Sequence, residues 1–136
     1  MTPDDARDFL RVHHNAVLST IRADGRPQMS PVAAGVDGEG RVIVSTPETT
    51  AKARNLRRDP RVALCAVSPG FYGTWVQVEG TAEIVDRPDA IELLVDYYRR
   101  LAGEHPDWDD YRRAMNEDRR VLVRFEIERA SGAVIG

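Results

Sequence analysis

Two glycine turns restrict the topology that this chain can adopt. Asp24-Gly25, and the run Asp37-Gly38-Glu39-Gly40, each separate stretches with extended character. Asp-Gly supplies the positive φ angles that a tight hairpin needs. The flanking runs are therefore read as antiparallel neighbours. Residues 16–21 form the first, with Val17, Ser19 and Ile21 on one face and Leu18 and Thr20 on the other. Residues 27–36 form the second. Pro27 stands at its first position, where a missing N–H is tolerated. Pro31 stands in its middle, which points to an edge, a bulge or a backbone left open to a ligand. Residues 41–45 form the third.

The remaining strands are expected at 61–67, read as buried, at 74–85, read as one long strand with a bulge at Gly80, and at 121–127. Helices are expected at 3–14, before Asp59-Pro60, from Pro88 with Asp86 as cap to Gly103, and from His105-Pro106-Asp107 through Met115. Six or seven strands joined largely by hairpins, with helices inserted late, give an α+β fold built on an antiparallel barrel. A length of 136 residues fits a single domain spanning 1–136.

The charges are distributed unevenly. The chain is mildly acidic at net -3, yet Lys52, Arg54, Arg57, Arg58 and Arg61 fall close together, opposed there only by Asp59. Lys52 is the only lysine. Ser45, Thr46 and Thr49 precede it as N-cap candidates, Pro47 suits a first helical turn, and Ser45 with Glu48 has capping-box spacing. Helix N-terminal amides, hydroxyls and a lysine within the first turn are the ingredients of a phosphate site. The competing reading is an amphipathic helix with solvated arginines. No Walker glycine pattern accompanies the segment, so nucleoside triphosphates are not indicated. The acidic balance, and the lack of aromatics interleaved on that helix, argue against nucleic acid.

Composition closes other routes. No apolar run reaches the roughly 20 residues of a membrane span. The opening residues lack a basic and then apolar signal pattern, and Cys65 is the single cysteine, so a cytoplasmic protein is expected. Adjacent His13 and His14 diverge on a helix, and His105 has no cysteine or histidine partner in spacing, so no metal is expected. Cys65 reads as a packing residue. Asp107, Asp109 and Asp110 sit where acidic residues normally open a helix. The stripe Tyr98, Trp108, Tyr111 and Met115 reads as helix packing.

In order along the chain, residues 16–20 (Ala-Val-Leu-Ser-Thr), Asp24-Gly25-Arg26-Pro27, Ser30-Pro31-Val32, residues 52–62 from Lys52 to Val62, and Val78-Glu79-Gly80-Thr81-Ala82 resemble the pyridoxamine 5'-phosphate oxidase-like family. Residues 98–123, with Gly103-Glu-His-Pro-Asp-Trp, are similar to its actinobacterial subgroup that uses coenzyme F420. The resemblance implies a split β-barrel homodimer with cofactor sites at the subunit interface. It places the ring against Met29, Ser30, Pro31 and Val32 and the strand end at Ser45 and Thr46. It places the phosphate near Thr50, Lys52, Arg54 and Asn55. Partner residues from 71–75 would complete the pocket. Phe71, Tyr72 and Trp75 are candidates for the substrate side, although an aromatic such as Trp75 more often simply packs. The implied activity is hydride transfer between the deazaflavin F420 and a small organic substrate, with no dedicated catalytic side chain. FMN in the same fold, and a non-catalytic F420 carrier or sensor, remain the alternatives.

Overall fold

The computed structural model describes residues 1–70 and 72–133. The elements run α1 Pro3–Val12, β1 Asn15–Ile21, β2 Pro27–Val36, β3 Val42–Pro47, α2 Ala51–Arg58 and β4 Arg61–Val67. They continue β5 Trp75–Thr81, β6 Glu83–Val85, α3 Ala90–Ala102, α4 Trp108–Glu117, β7 Arg120–Phe125 and β8 Arg129–Ala133. The strands order as β6-β7-β3-β2-β1-β4-β5-β8, and every pairing among the described residues is antiparallel. β5 and β6 are consecutive in the chain yet lie toward opposite ends of that order, so the sheet must curl. This is the expected α+β barrel, with eight strands in place of six or seven.

Both glycine turns form as read. Gly25 and Gly40 adopt φ of 85° and 81°, in the left-handed region that glycine tolerates best. β1 pairs β2 from Ile21↔Pro27 to Asn15↔Ala33. Leu18 and Thr20 face inward, whereas Val17 is 38% exposed on the opposite face. The core inside the curl gathers Leu18, Leu64, Val76, Val78, Val123 and Phe125, closed by Leu10 of α1 and Leu56 of α2. A second cluster packs α3 and α4 onto β3 and β7 through Ile43, Leu94, Tyr111 and Leu122. The Tyr98–Trp108–Tyr111 rings meet there at 5.1–5.8 Å between centroids.

Several expectations need correction. Residues 74–85 are two strands: the chain leaves β4 at Thr81 and joins β7 at Glu83, with Ala82 N–H donating to Pro60 O at 2.8 Å. Gly80 is no bulge, because its register with Val62 is continuous. A Cβ there would lie 2.3 Å from Glu126 O, so glycine permits close approach of the chain to the end of β7. β4 is not buried on both faces; it alternates, and its outer residues Ala63, Cys65 and Val67 are half-buried. Cys65 thus lies on the outer face, not in the core. α3 starts at Ala90, and Asp86 pairs with Arg57 instead of capping it with its side chain. No helix among the described residues is long and apolar enough to cross a membrane.

Candidate functional site

β2 changes partners along its length. Residues 27–33 pair with β1, whereas only Ala34, Gly35 and Val36 pair with β3. β3 continues past the last shared pair, Ala34↔Val44, and runs beside β7 to Pro47↔Arg120. The two strands therefore fork, and each turns an unpaired edge toward the gap. Ala34 N–H donates to His14 O at 2.8 Å. Alternation then aims the main-chain groups of Ser30 and Val32 at β1 and those of Met29, Pro31 and Ala33 at the gap. Pro31 accordingly forfeits no ladder bond, which explains a proline in the middle of this strand.

The floor of the fork is polar. Thr46 is buried, and its hydroxyl lies 2.9 Å from that of Thr50. Thr50, not Ser45, Thr46 or Thr49, is the N-cap of α2; its Oγ1 accepts from Ala53 N–H at 3.3 Å. The helix cannot begin earlier because Pro47 still belongs to the β3–β7 ladder. Glu48 closes no capping box. It pairs instead with Arg87 at 3.0 Å and Arg119 at 2.6 Å.

The cations sort into two groups. Arg57 is held by Asp86 at 2.5 Å, and Arg61 by Asp59 at 2.7 Å, which draws the Asp59 carboxyl down to about 2. Arg58 donates to Ile21 O and to Asn55 Oδ1, and Arg54 donates back to Thr49 O. Lys52 is different. Among the described residues it has no ion pair and no side-chain hydrogen bond. Partial burial lowers its ammonium below the usual lysine range, and the Arg120 guanidinium pushes it further the same way. Arg120 also donates to Ser45 Oγ at 3.3 Å and pairs with Asp118 at 2.6 Å. A half-buried ammonium beside another cation, at a helix N-terminus, is a site suited to an anion.

Of the residues expected at the site, Ser45, Thr46, Thr50 and Lys52 converge on this end of the fork. Asn55 belongs to the same helix but points inward: it is buried, donates to Thr20 Oγ1 at 3.1 Å and accepts from Arg58. Ser30 lies on the inner face of β2, and its hydroxyl is buried without a hydrogen-bond partner among the described residues. Met29 is 63% exposed on the outer face. Trp75 is separated from β2 by β1 and β4 and is 37% exposed, so it is not a core residue. Tyr72 is exposed, and Phe71 lies outside the described residues.

Two side chains at the fork were not singled out from the sequence. Arg120 reaches the site only because β7 pairs with β3, a juxtaposition that no local pattern announces. Tyr97 of α3 donates its hydroxyl to Ala33 O at 2.7 Å, at the apex of the fork. The residues present thus fit a flat ring with an anionic tail: two unpaired strand edges, an orphaned hydroxyl at Ser30, and uncompensated positive charge at Lys52.

Comparison with known proteins places this geometry. The sequence profile of the pyridoxamine 5'-phosphate oxidase family matches residues 2–132. The chain belongs to the pyridoxamine 5'-phosphate oxidase family. Within that family it is 30% identical over 131 residues to the F420H2-dependent biliverdin reductase of Mycobacterium tuberculosis (strain CDC 1551 / Oshkosh), covering 96% of this chain and 87% of the relative. A crystal structure of a conserved hypothetical protein from Mycobacterium tuberculosis superposes with a TM-score of 0.79 at 30% identity, covering 97% of this chain and 84% of that one. An F420 reductase superposes with a TM-score of 0.71 at 23% identity, covering 92% and 94%, and shares the fold.

Proposed function

We propose that this chain is an oxidoreductase using the deazaflavin coenzyme F420, bound in the fork between β2 and β3 of a homodimer. One observation carries the reading: Lys52, the only lysine, stands half-buried beside Arg120 without a carboxylate partner among the described residues. The similarity to an F420H2-dependent biliverdin reductase supports the choice of cofactor. Lys52 and the Thr50 end of α2 would hold the phosphate, with Arg120 adding positive charge nearby. Arg54 would need to leave Thr49 O to take part. The edge groups of Met29 and Pro31, with Ser30 Oγ and the Ser45 end of β3, would meet the ring. When bound, reduced F420 supplies a hydride to an electrophilic carbon of a small organic substrate.

The chain's own work is then positional. It neutralises the tail, presents main-chain donors and acceptors to the ring edge, and excludes water from one side. The outer face of β1, β2, β4 and β5 is uncharged over Val17, Met29, Cys65 and Trp75, and a second copy seated there would cover the other side.

Titration with F420 and with FMN, followed by fluorescence, tests the reading. Saturable F420 binding with weak or no FMN binding is expected. Preference for FMN would transfer the site to the flavin alternative. Oxidation of F420H2 by a panel of enones, quinones and tetrapyrroles then separates a reductase from a carrier: turnover is expected, and its absence across the panel would leave only binding.

A further inference from the structure

We propose that Tyr97 is the strut that holds the β2–β3 fork open and thereby sets the width of the cofactor slot; the second half of this statement rests on the slot proposed above. The β2–β3 ladder ends at Ala34↔Val44. Continued by one step, the same register would set Ala33 opposite Ser45. Alternation makes that next pair a hydrogen-bonded one, with Ser45 N–H aimed at Ala33 O. The two groups do not bond to each other. The Tyr97 hydroxyl takes that acceptor instead: it donates to Ala33 O at 2.7 Å, and the Ser45 backbone is near enough to work against the rise in pKa that burial of the phenol causes.

One phenol therefore occupies the acceptor of a broken ladder step and lies near its donor. Without it, Ala33 O is free to take the Ser45 N–H directly and the strands can close by one more step. Tyr97 is carried on α3, which packs across β2, β3 and β7. Its position is thus set by the helix and not by either strand it separates. Beyond it lie the gap-facing main-chain groups of Met29 and Pro31 and the Ser45 end of β3, which the proposed slot uses. What sets Tyr97 apart from a plain anchor of α3 is its place: the acceptor it holds is the one that the next β2–β3 ladder step would use.

Tyr97→Phe removes the one oxygen and keeps the ring. In the cofactor-free variant, Ser45 N–H should bond directly to Ala33 O, bringing their Cα atoms to about 5.5 Å as in a regular pair. A crystal structure or NMR distances read this. Affinity for F420 should fall about tenfold or more through loss of the preformed slot, while the melting temperature changes little. In the wild-type protein the Tyr97 hydroxyl proton should exchange slowly and give NMR cross-peaks to Ala33 and Ser45. An unchanged 33–45 spacing in the variant, or absence of those cross-peaks, overturns the strut. Strand closure with unchanged F420 affinity overturns its control of the slot. Failure of the wild-type protein to bind F420 sinks the cofactor reading instead, and leaves the spacing measurement to decide the strut alone.

Discussion

Lys52 presents the sharpest conflict between stability and use. In the free protein its charge is partly desolvated and faces Arg120, so its folded pKa lies below the ordinary value of 10.5. The unfolded chain therefore binds more protons in the interval just below 10.5, and stability rises with pH there. At neutral pH the full penalty is present. Lys52→Met should consequently be slightly more stable than wild type at pH 7, by less than about 1 kcal/mol because the ammonium stays partly solvated. That advantage should vanish as pH approaches 10.5. Denaturant melts of the two proteins from pH 7 to 10.5 check the sign. Lys52→Ala should weaken F420 binding by about 1.5–3 kcal/mol, the range for a hydrogen bond to a charged group. An unchanged dissociation constant would remove Lys52 from the site. Lys52 was legible because a lone lysine in an arginine-rich chain stands out. Arg120 was not, since its place beside Ser45 depends on a strand pairing between distant segments.

At the scale of elements, α2 is less a row of phosphate ligands than a helix bolted to the first hairpin. Asn55 donates to Thr20, Thr20 donates to Gln28 at 3.1 Å, and Arg58 ties Asn55 to Ile21 O. Asn55→Ala leaves these buried groups short of partners and should cost about 1–3 kcal/mol of stability. Chemical denaturation beside F420 titration discriminates the roles: lost affinity with unchanged stability would make Asn55 a ligand contact after all. Gly80 marks the other junction. Gly80→Ala sets a methyl 2.3 Å from Glu126 O, a backbone atom that cannot swing away. Overpacking of this kind should destabilise by about 1–3 kcal/mol, read from the denaturation midpoint. The hairpins were legible because Asp-Gly turns and alternation are local signals. β8 was not: Arg-Ala-Ser-Gly-Ala carries no apolar alternation and is a strand only because β5 offers it an edge. β6 hid for the opposite reason, as a continuous extended run that changes sheets at Ala82.

The whole molecule leaves one side unfinished. α1 and α2 close the inner face, and α3 with α4 cover β3 and β7, but among the described residues the outer face of β1, β2, β4 and β5 has no layer over it. Val17, Met29 and Trp75 are exposed there, and a depression of about 240 Å³ is lined by Val17, Met29, Ser19, Ala63, Cys65 and Gln77. An exposed apolar patch of this kind ordinarily marks a contact surface. The face is self-complementary in kind, apolar and nearly uncharged, which suits a two-fold contact between identical copies. It also adjoins the Met29 end of the fork, so a second copy would wall the slot from outside. Sedimentation equilibrium should therefore report twice the chain mass of 15.2 kDa. Val17→Asp places a carboxylate in the middle of the contact and should shift the protein toward monomer, because an ion buried there has no partner. If the slot needs both copies, F420 affinity should fall in step with the dimer and recover at protein concentrations that restore it. A wild-type protein sedimenting at 15.2 kDa, or a monomeric Val17→Asp variant with full affinity, would show that one chain builds the site unaided.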